Sequence, residues 1–392
     1  MKYEFSGKLK IASIAATVIG LVLILVSFFI YGDNITRVWA NLLVTSFFFT
    51  GVAVAGIFFV AVNLVGEGGW YTVFKRIPEA MSTFLPFGMF FLLIVVVAGM
   101  LGAHDIYKWM NPEIVAQDEL IQGKSGYLNN TFFLIRFAFY AAIWIGFAFM
   151  LRKMSLRDDM LGTYEHYIKS RNRAATFLVL FAVTSSTSAW DFIMSVDVHW
   201  FSTLFGWYTF AGYFVSAIAI MLVIVLHLKR NGFMPTVNMS HIQDLGKFLF
   251  AFSIFWTYLY FSQFLLIWYA DMPEEIVYYI ERYDTSYRPW VLVMVVLNLV
   301  LPLLVLMTRD SKRNATTLTI ISLLVVAGHY MDLFQMVMPG AVGEKWGWSF
   351  PEIGALLFFA GLFTFVVLNT LTKAAVEPAK GTFLEESKHH AI

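Results

Sequence analysis

Four ionisable side chains lie inside stretches of sequence that are otherwise built for lipid: Arg136, Asp191, His329 and Asp332. A charged group at membrane depth is costly and usually functional. At about 1.5 Å per residue, Asp191, His329 and Asp332 lie roughly 27, 21 and 25 Å from one face, and Arg136 lies about 10 Å from the other. All four fall in the same half of the membrane, which predicts a proton half-channel or a ligand headgroup site.

These four residues also admit a purely structural interpretation. Arg136 could form a salt bridge with Asp191 or Asp332 that only locks helices together. His329 and Asp332 are spaced i, i+3 on one helical face, so imidazole and carboxylate can share a proton near neutral pH. A packed, hydrogen-bonded histidine is the alternative.

A run of hydroxyl side chains precedes Asp191, and it includes Thr184, Ser185, Thr187 and Ser188. Hydroxyls at i and i+3 or i+4 can face one cavity and order a water chain toward the acid. Ser and Thr are equally common at close helix contacts, where they bond their own helix. The sequence leaves both roles open.

Further polar residues lie close to the same membrane face. Asp197 and His199 follow the hydroxyl run at the membrane edge. An acid and a histidine at this depth could form a proton exit, or they could be ordinary polar residues of the membrane interface. Gln263, with Ser262 beside it, lies within an aromatic segment, and a buried amide requires a hydrogen-bond partner. We regard this pair as a candidate polar contact.

The elements that must position these residues are membrane spans. Apolar residues make up 59% of the chain and charged residues 14%, against about 25% charged in an average soluble domain. The sequence therefore predicts an all-α integral membrane protein with about ten transmembrane helices, each long enough to cross roughly 30 Å of hydrocarbon. The predicted spans, one to ten, are 8–30, 37–64, 80–101, 129–152, 173–194, 204–228, 244–271, 287–308, 315–337 and 351–373.

Loop charge predicts the orientation, because Lys and Arg resist translocation whereas Asp and Glu contribute little. Most basic residues fall in the N-terminus, in the loops after even-numbered spans and in the tail, so both termini should be cytoplasmic. The opposite side carries only Arg37, Lys108, Lys124, Arg282, Arg288 and Lys345.

The chain contains no cysteine, which excludes thiolate-held iron–sulfur clusters, covalent haem attachment and disulfides. Of its eight histidines, only His329 sits well inside a predicted span, so a haem held by two imidazoles is also excluded. We expect no metal site and no redox cofactor bound by this chain alone.

Two long acidic loops, 102–128 and 272–286, follow spans three and seven. Their equivalent positions predict a single polytopic domain with two four-helix bundles, helices 2–5 (about 37–194) and helices 6–9 (about 204–337). Spans one and ten would flank the bundles, and 374–392 would form a cytoplasmic tail.

Three stretches carry a resemblance to a known family: residues 1–10, 188–202 (SAWDFIMSVDVHWFS) and 261–275 (FSQFLLIWYADMPEE). With the whole-length layout, they resemble the ActF family, NrfD-like or polysulfide-reductase-anchor-like membrane subunits of bacterial alternative complex III. That assembly is a quinol:electron-acceptor oxidoreductase of the bacterial cytoplasmic (inner) membrane, whose haem and iron–sulfur groups belong to separate chains.

The resemblance implies ten helices in two bundles and a role in quinol oxidation coupled to proton movement. It implies Asp191, His329 and Asp332 as proton-transfer positions, Arg136 as their charge partner, and quinol or menaquinol as a ligand of the assembly. The implied partners are a sister ActC subunit, multihaem cytochrome and iron–sulfur subunits, and a terminal oxidase. A stand-alone ion or solute transporter and a purely structural anchor are the alternatives; no nucleic-acid partner is expected.

Overall fold

The computed structural model describes residues 2–391, and ten helices in this part of the chain are long and apolar enough to cross a membrane. The prediction of an all-α integral membrane protein is confirmed. The spans are Gly7–Ile30, Gly32–Val65, Arg76–Met100, Asn130–Leu161, Tyr164–Val196, Phe205–Arg230, Met239–Ala270, Arg288–Val305, Ala315–Val342 and Phe350–Leu371. A short amphipathic helix, Pro273–Tyr283, which we call the loop helix, lies between spans seven and eight.

Spans four and five extend well past their predicted ends at 152 and 173. Span four continues to Leu161 and span five begins at Tyr164, because the charged segment between them still favours helix. The break comes at Gly162, whose φ of 60° suits a glycine at a helix end, and Thr163 then accepts a hydrogen bond from the His166 N–H. Hydropathy predicts only the part of a helix that lies in lipid, and these two helices continue beyond the hydrocarbon layer.

Span two is the central helix of the fold. In its most apolar window 72% of the residues are buried, against 22% in span one, because span two packs against spans three, five, six, nine and ten. Spans two to five pack among themselves, and spans six to nine do the same. Span one packs chiefly against span ten at the edge of the molecule.

Both described termini lie at one end of the helix bundle, which we call the terminal end; the other is the far end. Lys2 forms an isolated β-bridge with Ala375. Ser387 donates to the Trp70 carbonyl at 2.8 Å and accepts from the Val73 N–H at 3.2 Å. The described part of the predicted tail is therefore folded onto the ends of the spans.

Candidate functional site

The two membrane acids of spans five and nine occupy separate environments, and Arg136 belongs to the first. Its guanidinium meets Asp191 in a two-pronged ion pair, with Nε to Oδ2 at 2.7 Å and Nη2 to Oδ1 at 2.9 Å. Tyr140 also donates to Asp191 at 2.6 Å, and the ring of Tyr127 covers the guanidinium at 3.9 Å. Asp191 is thus a carboxylate with a matched cation and a neutral donor.

The hydroxyl run ahead of Asp191 bonds within its own helix. Thr184 donates to the Leu180 carbonyl at 2.9 Å, Thr187 to that of Val183 at 3.0 Å, and Ser188 to that of Ser185 at 2.9 Å. Ser185 makes a longer bond of the same kind, to the Ala182 carbonyl at 3.4 Å. This is the geometry of hydroxyls at close helix contacts.

Asp332 forms the second site, between spans six, seven and nine. Tyr208 donates its hydroxyl to Oδ1 of Asp332, and Trp256 donates its indole N–H to Oδ2 at 3.0 Å. Among the described residues, His329 alone forms an ion pair with Asp332. Its Nδ1 lies 4.0 Å from Oδ2, and the imidazole is charged only if it is protonated. Asp332 is 2% exposed, so it is a buried acid held by neutral donors.

His329 lies next to Asp332, and its ring forms no hydrogen bond with the described residues. Neither ring nitrogen has a hydrogen-bond partner among the described residues, because Asp332 is 4.0 Å from Nδ1, and the side chain is fully buried. The ring packs edge-on against Trp256, with 5.0 Å between ring centroids. A buried polar group without a partner is unusual and needs an explanation, such as an ordered water or a functional role.

A cavity of about 20 Å³ adjoins Asp332 on its far-end side, which is space for about one water molecule. Its polar walls are suited to holding one. Both amide atoms of Gln335 lack hydrogen-bond partners within residues 2–391, and Gln263 donates to the Tyr279 hydroxyl at 3.2 Å. The walls comprise Tyr208, Tyr260, Gln263, Tyr278, Tyr279, Arg282, Tyr283, Val291, Met294, Asp332, Gln335 and Met336. Ser262 is half-buried next to Gln263 but does not line this cavity.

Arg282 of the loop helix forms the far-end wall of that cavity. Its guanidinium pairs with Asp197 at 3.0 Å and donates to the carbonyls of Gln335 and Met336 at 2.9 and 3.1 Å. It also lies over the Tyr278 ring at 3.3 Å. These bonds fix the loop helix onto the end of span nine, one turn beyond Asp332.

A surface pocket of about 260 Å³ opens on the other side of this wall and shares Tyr278 with the inner cavity. Its ionisable lining residues are Lys108, Asp197, His199, Glu274 and Glu281. Burial raises the pKa of Glu281, and the negative charge of Asp197 adds to the effect. The pocket therefore offers a carboxyl group that holds its proton to a higher pH than an ordinary glutamate.

His199 points away from the inner site. Its Nε2 lies 2.6 Å from Oδ2 of Asp118 in the loop after span three. The Ile121 N–H and then the His199 contact lower the pKa of Asp118. Because the His199 side chain is 55% exposed, it belongs to the surface pocket and to the loop contact rather than to the Asp332 site.

A third buried ion pair was not predicted. Arg37 of span two meets Glu352 of span ten in a two-pronged contact of 2.8 and 2.9 Å, and Asn41 donates to the same carboxylate at 3.1 Å. Sequence reasoning counted Arg37 and Arg282 as loop charges, yet both are buried and paired. An acid at the matching edge of a neighbouring span is the signal that could have identified the Arg37 pair.

Tyr140, Tyr208 and Trp256 were also missed as partners of the two acids. Aromatic residues are 18% of this chain, so their types carry little information about which of them reach a carboxylate.

Comparison with known proteins gives no assignment for this arrangement. No model of a protein family matches the chain, and no curated protein matches it.

Proposed function

We propose that this chain is a membrane subunit, without redox centres of its own, of a bacterial respiratory quinol:electron-acceptor oxidoreductase of the alternative complex III kind. In this proposal the Asp332 site is the inner end of a proton half-channel that opens at the far end of the bundle. The electron-carrying groups belong to partner chains, and the far end faces the outside of the cytoplasmic membrane.

The observation that carries the proposal is the neutral environment of Asp332. A carboxylate that is locked to a guanidinium cannot take up a proton without leaving an unpaired buried cation. Asp332 is held by a hydroxyl and an indole N–H instead, with the unpartnered His329 beside it. A proton can therefore reach either the acid or the imidazole without separating a carboxylate from a guanidinium.

The route from the far end follows from the two cavities. Burial raises the pKa of Glu281 in the surface pocket, and Tyr278 lines both that pocket and the cavity beside Asp332. The Tyr and Gln side chains that line the inner cavity can each donate and accept a hydrogen bond. At this boundary Arg282 is neutralised by Asp197 at 3.0 Å and lies over the Tyr278 ring, so the wall between the two cavities is held in place by an ion pair.

The first test is composition. The chain should be purified in mild detergent from its native membrane, and the proposal expects haem-bearing and iron–sulfur-bearing subunits in stoichiometric amounts. A lone polypeptide whose deletion leaves quinol oxidation intact but abolishes uptake of a solute would establish the transporter alternative and overturn the proposal.

The second test concerns Asp332 in the intact assembly. Asp332→Asn should slow quinol oxidation or lower the coupled proton release while haem content stays normal. Ser322→Ala is the matched control, because Ser322 is a buried polar residue of the same span whose hydroxyl lacks a partner. Full turnover and full proton yield in Asp332→Asn would contradict the proposed proton role and would favour the alternative of a purely structural anchor.

A further inference from the structure

An apolar groove of about 880 Å³ runs along the outside of the central helix, between span ten on one side and spans six and nine on the other. It is separate from the Asp332 site and shares no lining residue with the inner cavity. Phe48 and Phe49 of span two form its floor. The groove exists because span ten packs against spans one and two, whereas span nine packs against spans two and six.

The groove wall is continuous along each helix. Ile220, Ile224 and His227 of span six recur at the spacing of one helical face, and so do Leu323, Ala327 and Tyr330 of span nine. On span ten the lining extends from Leu356 to Leu368, a rise of about 18 Å. One leaflet contributes about 15 Å of a hydrocarbon layer of roughly 30 Å, so the groove matches the length of an acyl chain.

The side chains at the terminal end of the groove are mostly cationic, which favours a lipid with an anionic headgroup. Leu9 and His227 line this end, Lys8 and Lys10 flank Leu9 in the chain, and Arg230 follows His227 by one turn; all three cations are exposed. The described N-terminal residues 2–10 carry three lysines against one glutamate.

The opposite end of the groove has a different character. Trp290 and Trp348 line it. Nearby in the chain, the exposed cations Arg288 and Lys345 are matched in number by the exposed acids Asp284 and Glu344. An excess of cationic over acidic side chains is therefore found at the terminal end, which is the end where an anionic phosphate would be held.

We propose that the groove is a binding site for one anionic phospholipid, with its acyl chains along spans nine and ten and its phosphate among Lys8, Lys10 and Arg230. The site bridges the span one–span ten pair and the central bundle, so the lipid fills a gap that protein side chains leave open. This site does not depend on the proposed respiratory function.

Native mass spectrometry of the full chain, with any co-purifying subunits, tests the site. Delipidated protein is titrated with dioleoylphosphatidylglycerol or with dioleoylphosphatidylcholine. One phosphatidylglycerol should be retained at much lower concentration than phosphatidylcholine. Each of Lys8→Ala, Lys10→Ala and Arg230→Ala should weaken phosphatidylglycerol binding about fivefold, whereas Lys153→Ala, an exposed lysine of span four, should not.

A groove-filling variant separates the groove from general lipid contact. Ala327→Leu should lower the retention of phosphatidylglycerol, and Ala138→Leu, which enlarges an exposed alanine of span four, should leave it unchanged. Equal retention of both lipids, or unchanged binding in Ala327→Leu, would overturn the proposal. So would retention of a quinone in place of the lipid, or loss of a partner subunit from Ala327→Leu, because another occupant would then fill the groove.

Discussion

Asp191 and Asp332 are both single acids near the far ends of long, buried spans, and their surroundings differ in one respect. Asp191 has Arg136 as a two-pronged partner, and Asp332 has only neutral donors and a histidine of variable charge. The same residue type at similar depth is therefore ion-paired with a guanidinium at one position and held by neutral donors at the other, and our proposal assigns proton exchange to the second. Partner chemistry, rather than depth, distinguishes the two environments.

The comparison predicts that breaking the Arg136 pair has the largest effect. Arg136→Leu leaves the buried Asp191 without its cation and with neutral tyrosine donors such as Tyr140, so the free energy of unfolding should fall by about 3 to 5 kcal/mol. Thermal or denaturant unfolding in detergent, followed by tryptophan fluorescence, measures the loss. Adding Asp191→Asn should restore part of it. Restoration by Asp332→Asn instead would show that the pairing is assigned to the wrong acid.

The matched change at the second acid should be milder. In Asp332→Asn the amide oxygen can still accept a hydrogen bond from Tyr208 or Trp256. The acceptor becomes neutral, so the free energy of unfolding should fall by about 1 kcal/mol. The same unfolding measurement applies. A loss as large as that of Arg136→Leu would mean that Asp332 carries a paired charge, and the contrast between the two acids would disappear.

The tyrosine donors allow a finer comparison. Tyr208→Phe removes one of two strong donors from Asp332, whereas Tyr140→Phe leaves Asp191 with its guanidinium. Hydrogen bonds to charged groups are worth about 1.5 to 3 kcal/mol, so Tyr208→Phe should reach that range and Tyr140→Phe should fall below it. Equal losses of unfolding free energy would contradict this ranking.

The smallest effect is expected at Glu281, which lies on the proposed far-end route to Asp332. Because burial raises its folded-state pKa above the ordinary value of 4.5, the folded protein binds more protons than the unfolded chain above that pH. The free energy of unfolding therefore falls as pH rises from about 4.5 through the raised folded-state pKa. Glu281→Gln should lack this fall.

The measurement is the unfolding midpoint of both proteins from pH 4 to pH 8. Glu281→Gln should be stabilised relative to the parent chain only toward the upper end of that range. Glu274→Gln, in the same surface pocket, is the control. A parallel pH dependence in the Glu281→Gln and parent proteins would remove Glu281 from the proposed route.

The number and order of the spans were predictable because a hydrocarbon layer imposes a minimum apolar length on every crossing helix. The depth of Arg136 also indicated that it would meet an acid. Which acid it meets depends on helix rotation, and depth does not contain that information. The ends of spans four and five were wrong by several residues because charged residues continue these helices beyond the lipid.

The Asp332 site was only partly predictable for a related reason. The i, i+3 spacing placed His329 beside Asp332 on one helix, and the structure retains that contact. Tyr208 and Trp256 come from two other spans, and Arg282 comes from a loop helix that hydropathy treats as solvent-exposed. Contacts between distant segments are set by packing, and single-sequence periodicity reports only local faces.

The Arg37–Glu352 pair has a consequence for biogenesis. Its two residues are 315 positions apart, so at a synthesis rate of about 5 to 20 residues per second the arginine is made roughly 15 to 60 s before its carboxylate partner. During that interval the ribosome-bound chain already contains span two, the future centre of the fold, with one buried-type cation unneutralised. Because Arg37 lies in the first turn of span two, water and lipid headgroups can solvate it until span ten arrives, and closure of the Arg37–Glu352 contact is a late step of assembly.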